Sequence, residues 1–172
     1  MIIKDNFLVA RVHENLFKTI TSPNFPWYYQ NSMTRHLNYL KGQQDNPYFS
    51  HLFYSDHQPL SNYYEDIITP LISTLGNVKS IMVVRANLYI KKDRVYSSRF
   101  HTDDCDGVNK YNHKTAIFYV NRNNGYTKFE DGKKVESIPN RMLIFDASLK
   151  HCAVTQMDDD RRIVININYI EK

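Results

Sequence analysis

The spacing of hydrophobic residues along the chain changes at Gly76. Before this glycine the apolar residues follow helical or mixed patterns, and after it they alternate with polar residues at the period of a β-strand. Turn sequences such as NRNNG, EDGKK and MDDDR separate the alternating runs, and Asp131-Gly132 indicates a hairpin. Many short strands at even spacing predict an antiparallel barrel or jelly roll. The predicted strands occupy residues 79–90, 115–120, 126–130, 142–146, 151–156 and 162–170.

The clearest helix before Gly76 covers Asn62 to Leu75. Asn62 followed by Glu65 fits a capping box at its start, and Gly76 stands where a C-terminal cap is expected. Pro70 lies inside this segment, so we expect it to kink the helix or to divide it into two pieces.

The rest of the N-terminal half has weaker patterns. Phe7 to Val12 predicts a short apolar strand, and Asn31 to Leu40 predicts a short helix. With 172 residues, no repeat and no low-complexity linker, the chain is predicted to form a single domain. We therefore expect a mainly β protein with N-terminal helices, in which residues 1–78 form a helical and mixed support and residues 79–172 form a jelly-roll core.

Composition narrows the classes of function. The net charge is +4, but Lys and Arg are scattered and form no basic stripe, so nucleic acid is not an expected partner. No apolar run reaches the roughly 18 residues that a membrane span needs, and the N-terminus lacks the pattern of a signal peptide. These features predict a cytoplasmic protein that does not enter a membrane. The two cysteines, Cys105 and Cys152, are expected to be free thiols in that compartment.

The stretch RFHTDDCD at residues 99–106 contains the candidate chemistry. Residues two apart on a strand point to the same face, so His101 and Asp103 can both project into a barrel. His151 begins a later predicted strand and can supply a third ligand. Two histidines and one carboxylate on one face form the facial arrangement that holds non-haem Fe(II) and leaves positions open. A polar turn between two strands is the alternative interpretation of RFHTDDCD.

A positively charged side chain follows these candidate ligands in the sequence. Arg162 opens the strand RIVININY, one strand-length beyond His151. Its planar guanidinium suits bidentate binding of the far carboxylate of a dicarboxylate that chelates the metal. Strand alternation places Arg162, Val164 and Asn166 on one face and directs Arg161 to the other. We therefore predict that Arg162 has this role, and Arg161 is the alternative if the preceding turn changes the register.

The order of these residues resembles a known family. H-x-D, then a strand and a turn, then His followed by Arg, is similar to the Fe(II)/2-oxoglutarate-dependent oxygenases, in particular to the compact prolyl 4-hydroxylase-like branch common in phages and bacteria. The segment TAIFYVNRNNGYTKFEDGKKVESIPNRMLIFDASLKH is similar to that branch throughout, including its G-x-T-x-F motif. The resemblance covers about residues 80–170 and implies a double-stranded β-helix, the cupin-like form of the jelly roll.

The resemblance also implies roles for individual residues. His101, Asp103 and His151 would bind Fe(II), and Arg162 would bind the C5-carboxylate of 2-oxoglutarate. In the family, an aromatic or amide side chain of an early barrel strand often contacts that carboxylate as well. The candidates for this second contact are Arg85, Asn87 and Tyr89 in RANLY, and Tyr119 in AIFYVN.

The implied activity is that of a dioxygenase. In the family, 2-oxoglutarate chelates the iron, O2 is consumed, and succinate and CO2 are released as an unactivated C–H bond is hydroxylated. The carboxylate ligand Asp103 fills the position that a halide would need, so hydroxylation is expected over halogenation. The implied substrate is a peptidyl-proline, a free amino acid or another small molecule.

Two other classes of function stay open. One is a cupin-like barrel that uses the same ligands with zinc or manganese as a hydrolase or isomerase, and this class does not require Arg162. The other is a non-enzymatic binding module in which the metal ligands are incidental.

Further residues are assigned to packing, to loops or to substrate contact. His51 in YFSHLFYS is expected to be a hydrogen-bonded packing residue, and His113 in KYNHKT a loop residue. Because loops carry specificity in barrel enzymes, substrate contacts are expected in residues 21–30, 42–60 and 104–114.

Overall fold

The structure, a computed structural model, describes residues 1–31, 47–103 and 112–172. The predicted helix from Asn31 to Leu40 lies outside the described residues except for its first position, and Cys105 also lies outside them. The described part of the chain forms two antiparallel sheets that enclose a cavity. Its strands are β1 (Ile2–Lys4), β2 (Tyr28–Gln30), β3 (Tyr48–Ser55), β4 (Gln58–Pro59), β5 (Val78–Ile90), β6 (His113–Tyr119), β7 (Tyr126–Phe129), β8 (Lys134–Glu136), β9 (Arg141–Asp146), β10 (His151–Val154) and β11 (Arg161–Glu171).

The larger sheet has the order β1-β9-β6-β11-β5-β3-β2, with β4 paired to β3. Strand β11 lies in its interior and pairs antiparallel with both β5 and β6. The N-terminal strands extend both edges of this sheet, since β1 pairs with β9 and β3 pairs with β5. The predicted alternating runs after Gly76 therefore correspond to strands, and the N-terminal part also contributes strands to the same sheet.

The smaller sheet has the order β10-β7-β8. Strands β7 and β8 form the hairpin predicted at Asp131-Gly132, where Gly132 has a φ of 89° that favours glycine. Isolated bridges from Ser97 to Val154 and from His101 to His151 place residues 97–101 beside β10 as a fourth member. From β5 onward the chain passes back and forth between the two sheets, with the β7–β8 hairpin wholly in the smaller one, which confirms the predicted mainly β jelly roll.

The predicted strand from Phe7 to Val12 is wrong. The helix α1 (Ala10–Ile20) occupies this region, and its residues Val12, Leu16 and Ile20 are spaced four apart on one face. Leu16 and Ile20 are buried in the main core. The helical period, which continues beyond Val12, decided the structure of this segment.

The predicted helix from Asn62 to Leu75 is present in two pieces. A π-helical turn covers Tyr64–Ile68, and α2 (Thr69–Leu75) follows it. Pro70 lies in the first turn of α2, where its missing N–H leaves no helical hydrogen bond unmade. Gly76 ends α2 with a φ of 69°, as predicted for the C-terminal cap. The predicted capping box is wrong, because no side chain caps the start of the first piece.

Strand β11 separates the main core from the cavity. Ile163 and Ile165 belong to the core cluster that contains α1 and α2 residues, whereas Arg162, Val164 and Asn166 line the cavity on the opposite face. The predicted alternation along RIVININY is therefore confirmed. None of the described helices is long and apolar enough to cross a membrane.

Candidate active site

The cavity between the sheets brings the predicted ligand residues and Arg162 together. His101, Asp103 and His151 contribute from the smaller sheet and the loop beside it, and Arg162 contributes from β11 of the larger sheet. His101 and His151 face each other across a pair of reciprocal backbone hydrogen bonds, each 3.0 Å long. The backbone N–H of Asp103 donates to the carbonyl of Ala147 at 3.0 Å, which fixes the segment after His101.

The three side chains form a compact cluster of possible metal ligands. One atom from each lies within 4.8 Å of the other two. The Nε2 atoms of His101 and His151 each lie 3.8 Å from a carboxylate oxygen of Asp103. Because the three atoms converge without contacting one another, a metal ion can lie between them.

Backbone carbonyls set the tautomers of the two histidines. Nδ1 of His101 lies 3.2 Å from the carbonyl oxygen of Arg99, and Nδ1 of His151 lies 3.0 Å from that of Leu149. A carbonyl can only accept, so each Nδ1 holds the proton and each Nε2 keeps its lone pair. Both lone pairs are directed at the cluster, as a metal ligand requires.

Burial also favours the neutral form of His151. Burial lowers the pKa of this imidazole below its ordinary value, and the Asp103 carboxylate opposes that shift. The ring packs edge-on against Phe145, with the ring centroids 4.8 Å apart, and Phe129 lies on another side at 6.1 Å. These aromatic rings fix the ring of His151 and exclude water from its far side.

A hydrogen-bonded chain holds Asp103 in place. The hydroxyl of Thr115 donates to Oδ2 of Asp103 at 2.7 Å. The end of the Asn168 side chain lies 3.0 Å from the same hydroxyl oxygen and 3.1 Å from Nε2 of His113. The Thr115 hydroxyl therefore lies between the Asp103 carboxylate and Oδ1 of Asn168. The orientation of Asp103 is therefore determined by strands β6 and β11.

Arg162 is 1% exposed and lies at the other end of the cavity. Its Nε donates to the hydroxyl oxygen of Ser137 at 3.0 Å, whereas its buried Nη2 has no hydrogen-bond partner in the described residues. The guanidinium lies over the rings of Tyr89 and Tyr119, 5.3 Å and 5.9 Å from their centroids. A buried, unpaired donor on a charged group is costly unless a ligand satisfies it, so this end of the cavity fits a carboxylate.

Gly125 gives the side chain of Arg162 its space. A Cβ at this position would lie 2.7 Å from Cδ of Arg162 and 2.9 Å from the carbonyl oxygen of Val154. The spacing G-x-T-x-F then has a physical meaning, because Gly125 leaves room for Arg162, Thr127 lines the cavity and Phe129 packs near His151.

The other predicted co-substrate contacts occupy different positions. Tyr89, Asn87 and Arg85 line the cavity, as alternation along β5 predicts. Tyr119 is fully buried and donates its hydroxyl to Thr127 at 2.8 Å, so it supports a cavity residue and is not among the lining residues. Arg161 is exposed on the outer face of β11.

Two histidines outside the cluster have structural contacts. His51 is buried and bonds to the carbonyl of Pro26 at 2.7 Å and to the hydroxyl of Ser61 at 2.8 Å, which confirms the packing interpretation. The loop interpretation of His113 is wrong, since this residue begins β6 and contacts Asn168.

Thr115, Asn168 and Ser137 were not found by sequence reasoning. Their side chains contact Asp103 or Arg162 across neighbouring strands. Such contacts depend on the strand register, which local periodicity does not contain.

The donor set fits a specific class of metal. Two imidazole nitrogens and one carboxylate on one face are typical of non-haem Fe(II) sites with open coordination positions. The unpaired Nη2 of Arg162 in the same cavity fits the free end of a dicarboxylate.

Comparison with solved structures identifies the same fold in several proteins. A prolyl-4-hydroxylase from Pseudomonas putida aligns with a TM-score of 0.59 and 11% identity, covering 99% of this chain and 92% of that one. The viral collagen prolyl hydroxylase of Paramecium Bursaria Chlorella virus-1 aligns with a TM-score of 0.56 and 13% identity over 99% of this chain and 90% of the other. The α-ketoglutarate-dependent epimerase SnoN of nogalamycin biosynthesis gives a TM-score of 0.63 at 13% identity, covering 99% and 77%.

No protein-family model matches the sequence, and no curated protein matches it significantly. At these low identities, the structural likeness establishes the fold, which is the double-stranded β-helix of solved 2-oxoglutarate/Fe(II) oxygenases.

Proposed function

We propose that this chain is an Fe(II)- and 2-oxoglutarate-dependent dioxygenase that hydroxylates an unactivated C–H bond of a small molecule or peptide. One observation carries the proposal. The His101–Asp103–His151 cluster shares a cavity with Arg162, whose buried Nη2 lacks a partner in the described residues. A metal site alone fits many chemistries, but a metal site with a buried cation facing it fits a chelating dicarboxylate.

The histidines and Asp103 would hold the iron on one face. Their Nε2 lone pairs and carboxylate are already directed inward by the carbonyls of Arg99 and Leu149 and by the hydroxyl of Thr115. When bound, iron with 2-oxoglutarate supplies O2 activation with release of succinate and CO2. Because Asp103 provides a carboxylate ligand, no ligand position is left vacant for a halide, which favours hydroxylation over halogenation.

Arg162 would orient 2-oxoglutarate. Its guanidinium is held by Ser137 and by the rings of Tyr89 and Tyr119, so it meets the C5-carboxylate without rearrangement. Tyr89 and Asn87 lie beside it on β5 and are the proposed additional contacts to the co-substrate. Tyr119 would act indirectly, through the Thr127 hydroxyl that it holds.

The solved structures with this fold support the proposal. Two are named as prolyl hydroxylases, and one is named as an α-ketoglutarate-dependent epimerase. The epimerase shows that product analysis is needed to establish hydroxylation, because epimerisation leaves the substrate mass unchanged whereas hydroxylation adds one oxygen atom.

Anaerobic addition of Fe(II) and then 2-oxoglutarate tests the site. We expect the weak visible charge-transfer band of the chelated co-substrate, and we expect it to be absent in Asp103→Ala. A hydrolase or isomerase that uses this cluster with zinc or manganese would give no such band. A band that persists in Asp103→Ala would contradict the ligand assignment.

The two neighbouring arginines of β11 provide a matched pair of variants. Removal of Arg162 should raise the 2-oxoglutarate concentration for half-maximal band formation by about tenfold or more, because a charge-assisted pair is lost. Arg161→Ala should leave that concentration unchanged, since Arg161 is exposed outside the barrel. The reverse result would exclude Arg162 as the co-substrate partner.

A further inference from the structure

A second arginine lies in the same cavity and has no role in the mechanism above. Arg85 on β5 lines the cavity together with the metal cluster, and its Nε is buried without a hydrogen-bond partner in the described residues. The same side chain also lines an outer groove with Tyr28 and Leu60, both of which are exposed. Arg85 therefore stands where the metal cavity meets the protein surface.

Strand register places Arg85 away from Arg162 and toward the metal cluster. Arg162 pairs with Tyr89, and Asn166 pairs with Arg85, so the backbone positions of the two arginines are separated by about 13 Å along the sheet at ~3.3 Å per residue. On the opposite sheet, Gly125 lies just before β7 and packs against Arg162, whereas Phe129 at the end of β7 pairs with His151. In both sheets, therefore, the direction that leads away from Arg162 leads toward the candidate metal ligands.

The charges in the cavity leave Arg85 uncompensated. Among the described lining residues, Asp103 is the only carboxylate, and Arg85 and Arg162 are the only arginines. With Fe(II) and 2-oxoglutarate bound, the charges of the metal, the co-substrate, Asp103 and Arg162 cancel. Arg85 then remains as excess positive charge in the cavity, on the side where the cavity meets the outer groove.

We propose that Arg85 binds a carboxylate of the primary substrate and holds the neighbouring C–H bond at the metal. The inference rests on the proposed function and specifies its substrate class. The substrate would be a small carboxylic acid, such as a free amino acid, or the terminal residue of a peptide. A residue inside a peptide chain carries no main-chain carboxylate and would leave Arg85 unpaired.

The surroundings of Arg85 favour a carboxylate over a phosphate. A phosphate dianion usually needs several cations or a row of backbone N–H groups, and Arg162 is already assigned to the co-substrate. The neighbouring side chains are the amides Asn87 and Asn166, and each has a buried oxygen without a partner. These oxygens can accept from an ammonium or hydroxyl group carried by the same substrate.

The test compares matched acids and amides. With Fe(II), 2-oxoglutarate and O2 present, succinate formation would be measured with the twenty free amino acids and short aliphatic carboxylic acids, with their carboxamides, and with peptides blocked at both ends. We expect stimulation by at least one free acid and a much weaker effect of its amide. Equal stimulation by the amide, stimulation by blocked peptides alone, or no stimulation by any acid would overturn the inference.

Two arginine variants complete the test. Arg85→Met should raise the concentration of the active acid for half-maximal stimulation by about tenfold or more, because a charge-assisted hydrogen bond is lost. Arg94→Met, at an exposed position where the arginine lies over Tyr96, is the matched control and should not change it. If Arg85→Met raises the 2-oxoglutarate concentration for half-maximal activity and leaves that of the acid unchanged, Arg85 serves the co-substrate and the inference is wrong.

The charge-transfer band separates the two proposals. If Fe(II) and 2-oxoglutarate give no band with the same preparation, the proposed function fails. If the band forms and acids act no better than their amides, only the assignment of Arg85 fails.

Discussion

At the scale of single residues, the site depends on how a few polar groups are paired. The metal cluster is directed inward by groups that do not themselves contact a metal, and Thr115 is the clearest example. Its hydroxyl donates to Asp103 and lies 3.0 Å from Oδ1 of Asn168 on β11, so it links one candidate ligand to the larger sheet. Outer contacts of this kind typically change metal affinity by about 10- to 100-fold when they are removed.

We predict that Thr115→Val weakens Fe(II) binding by about tenfold or more while the fold is retained, because valine has a similar shape but cannot donate to Asp103. Thr127→Val is the matched control, since Thr127 lines the same cavity but pairs with Tyr119. Titration with Fe(II) under anaerobic conditions would measure both. Equal effects of the two variants would contradict a specific role of Thr115.

Gly125 leads to a different prediction, because it lies against Arg162 and against none of the three candidate metal ligands. In Gly125→Ala the new Cβ would lie 2.7 Å from Cδ of Arg162, so the guanidinium must shift. We expect a higher 2-oxoglutarate requirement, by about tenfold, with Fe(II) affinity close to that of the parent protein. If Gly125→Ala changes the Fe(II) affinity and leaves the 2-oxoglutarate requirement unchanged, the alanine disturbs β10 and not Arg162.

At the scale of elements, the barrel strands and the helix that ends at Gly76 could be predicted from the sequence, and the segment around α1 could not. Alternation along RIVININY and RANLY identified which side chains face the cavity, since a strand has a fixed period of two. The segment FLVARV was ambiguous, because a short apolar run suits both a strand and the start of a helix. Contacts such as Thr115 with Asp103 depend on register between distant strands, which no local pattern contains.

Asn140 connects the N-terminal segment to the barrel. Its side chain accepts from the N–H of Leu8 and donates to the carbonyl of Leu8, both at 2.8 Å, and its own φ is 60°. We predict that Asn140→Gly lowers the free energy of unfolding by about 2 to 4 kcal/mol, because two buried backbone groups lose their partners. Glycine tolerates the positive φ, so backbone strain does not contribute.

The control for this prediction is Asn112→Gly. Asn112 also has a positive φ of 55°, but its side chain is exposed. We expect a change of about 0.5 kcal/mol or less in its free energy of unfolding, measured by urea denaturation. If both variants lose a similar free energy of unfolding, the loss comes from the greater freedom of glycine in the unfolded chain. The hydrogen bonds of Asn140 would then not explain it.

At the scale of the whole molecule, we propose that the chain forms a single domain. The N-terminal strands β1 and β3 hydrogen-bond to the barrel strands β9 and β5, and α1 shares its core with β11. Because the N-terminal part depends on these hydrogen bonds and on this shared core, we expect it to unfold together with the barrel.

The single tryptophan allows this to be measured. Trp27 packs on Phe25, with ring centroids 5.1 Å apart, and Phe25 contacts Phe53 of β3. Its fluorescence reports on the N-terminal part, and far-ultraviolet circular dichroism reports mainly on the sheets. We expect coincident urea transitions from the two probes. A fluorescence transition at clearly lower urea concentration would show that residues 1–78 unfold separately.

The position of β11 in the larger sheet has a consequence for synthesis of the protein. Among the described strands it comes last in the sequence, yet it pairs with β5 on one side and β6 on the other. During translation, β5 and β6 leave the ribosome long before their common partner, so each exposes an unpaired edge while the nascent chain grows. The sheet and the Arg162 end of the cavity are completed only when this last strand inserts, a non-local step that is slow and exposes the chain to aggregation.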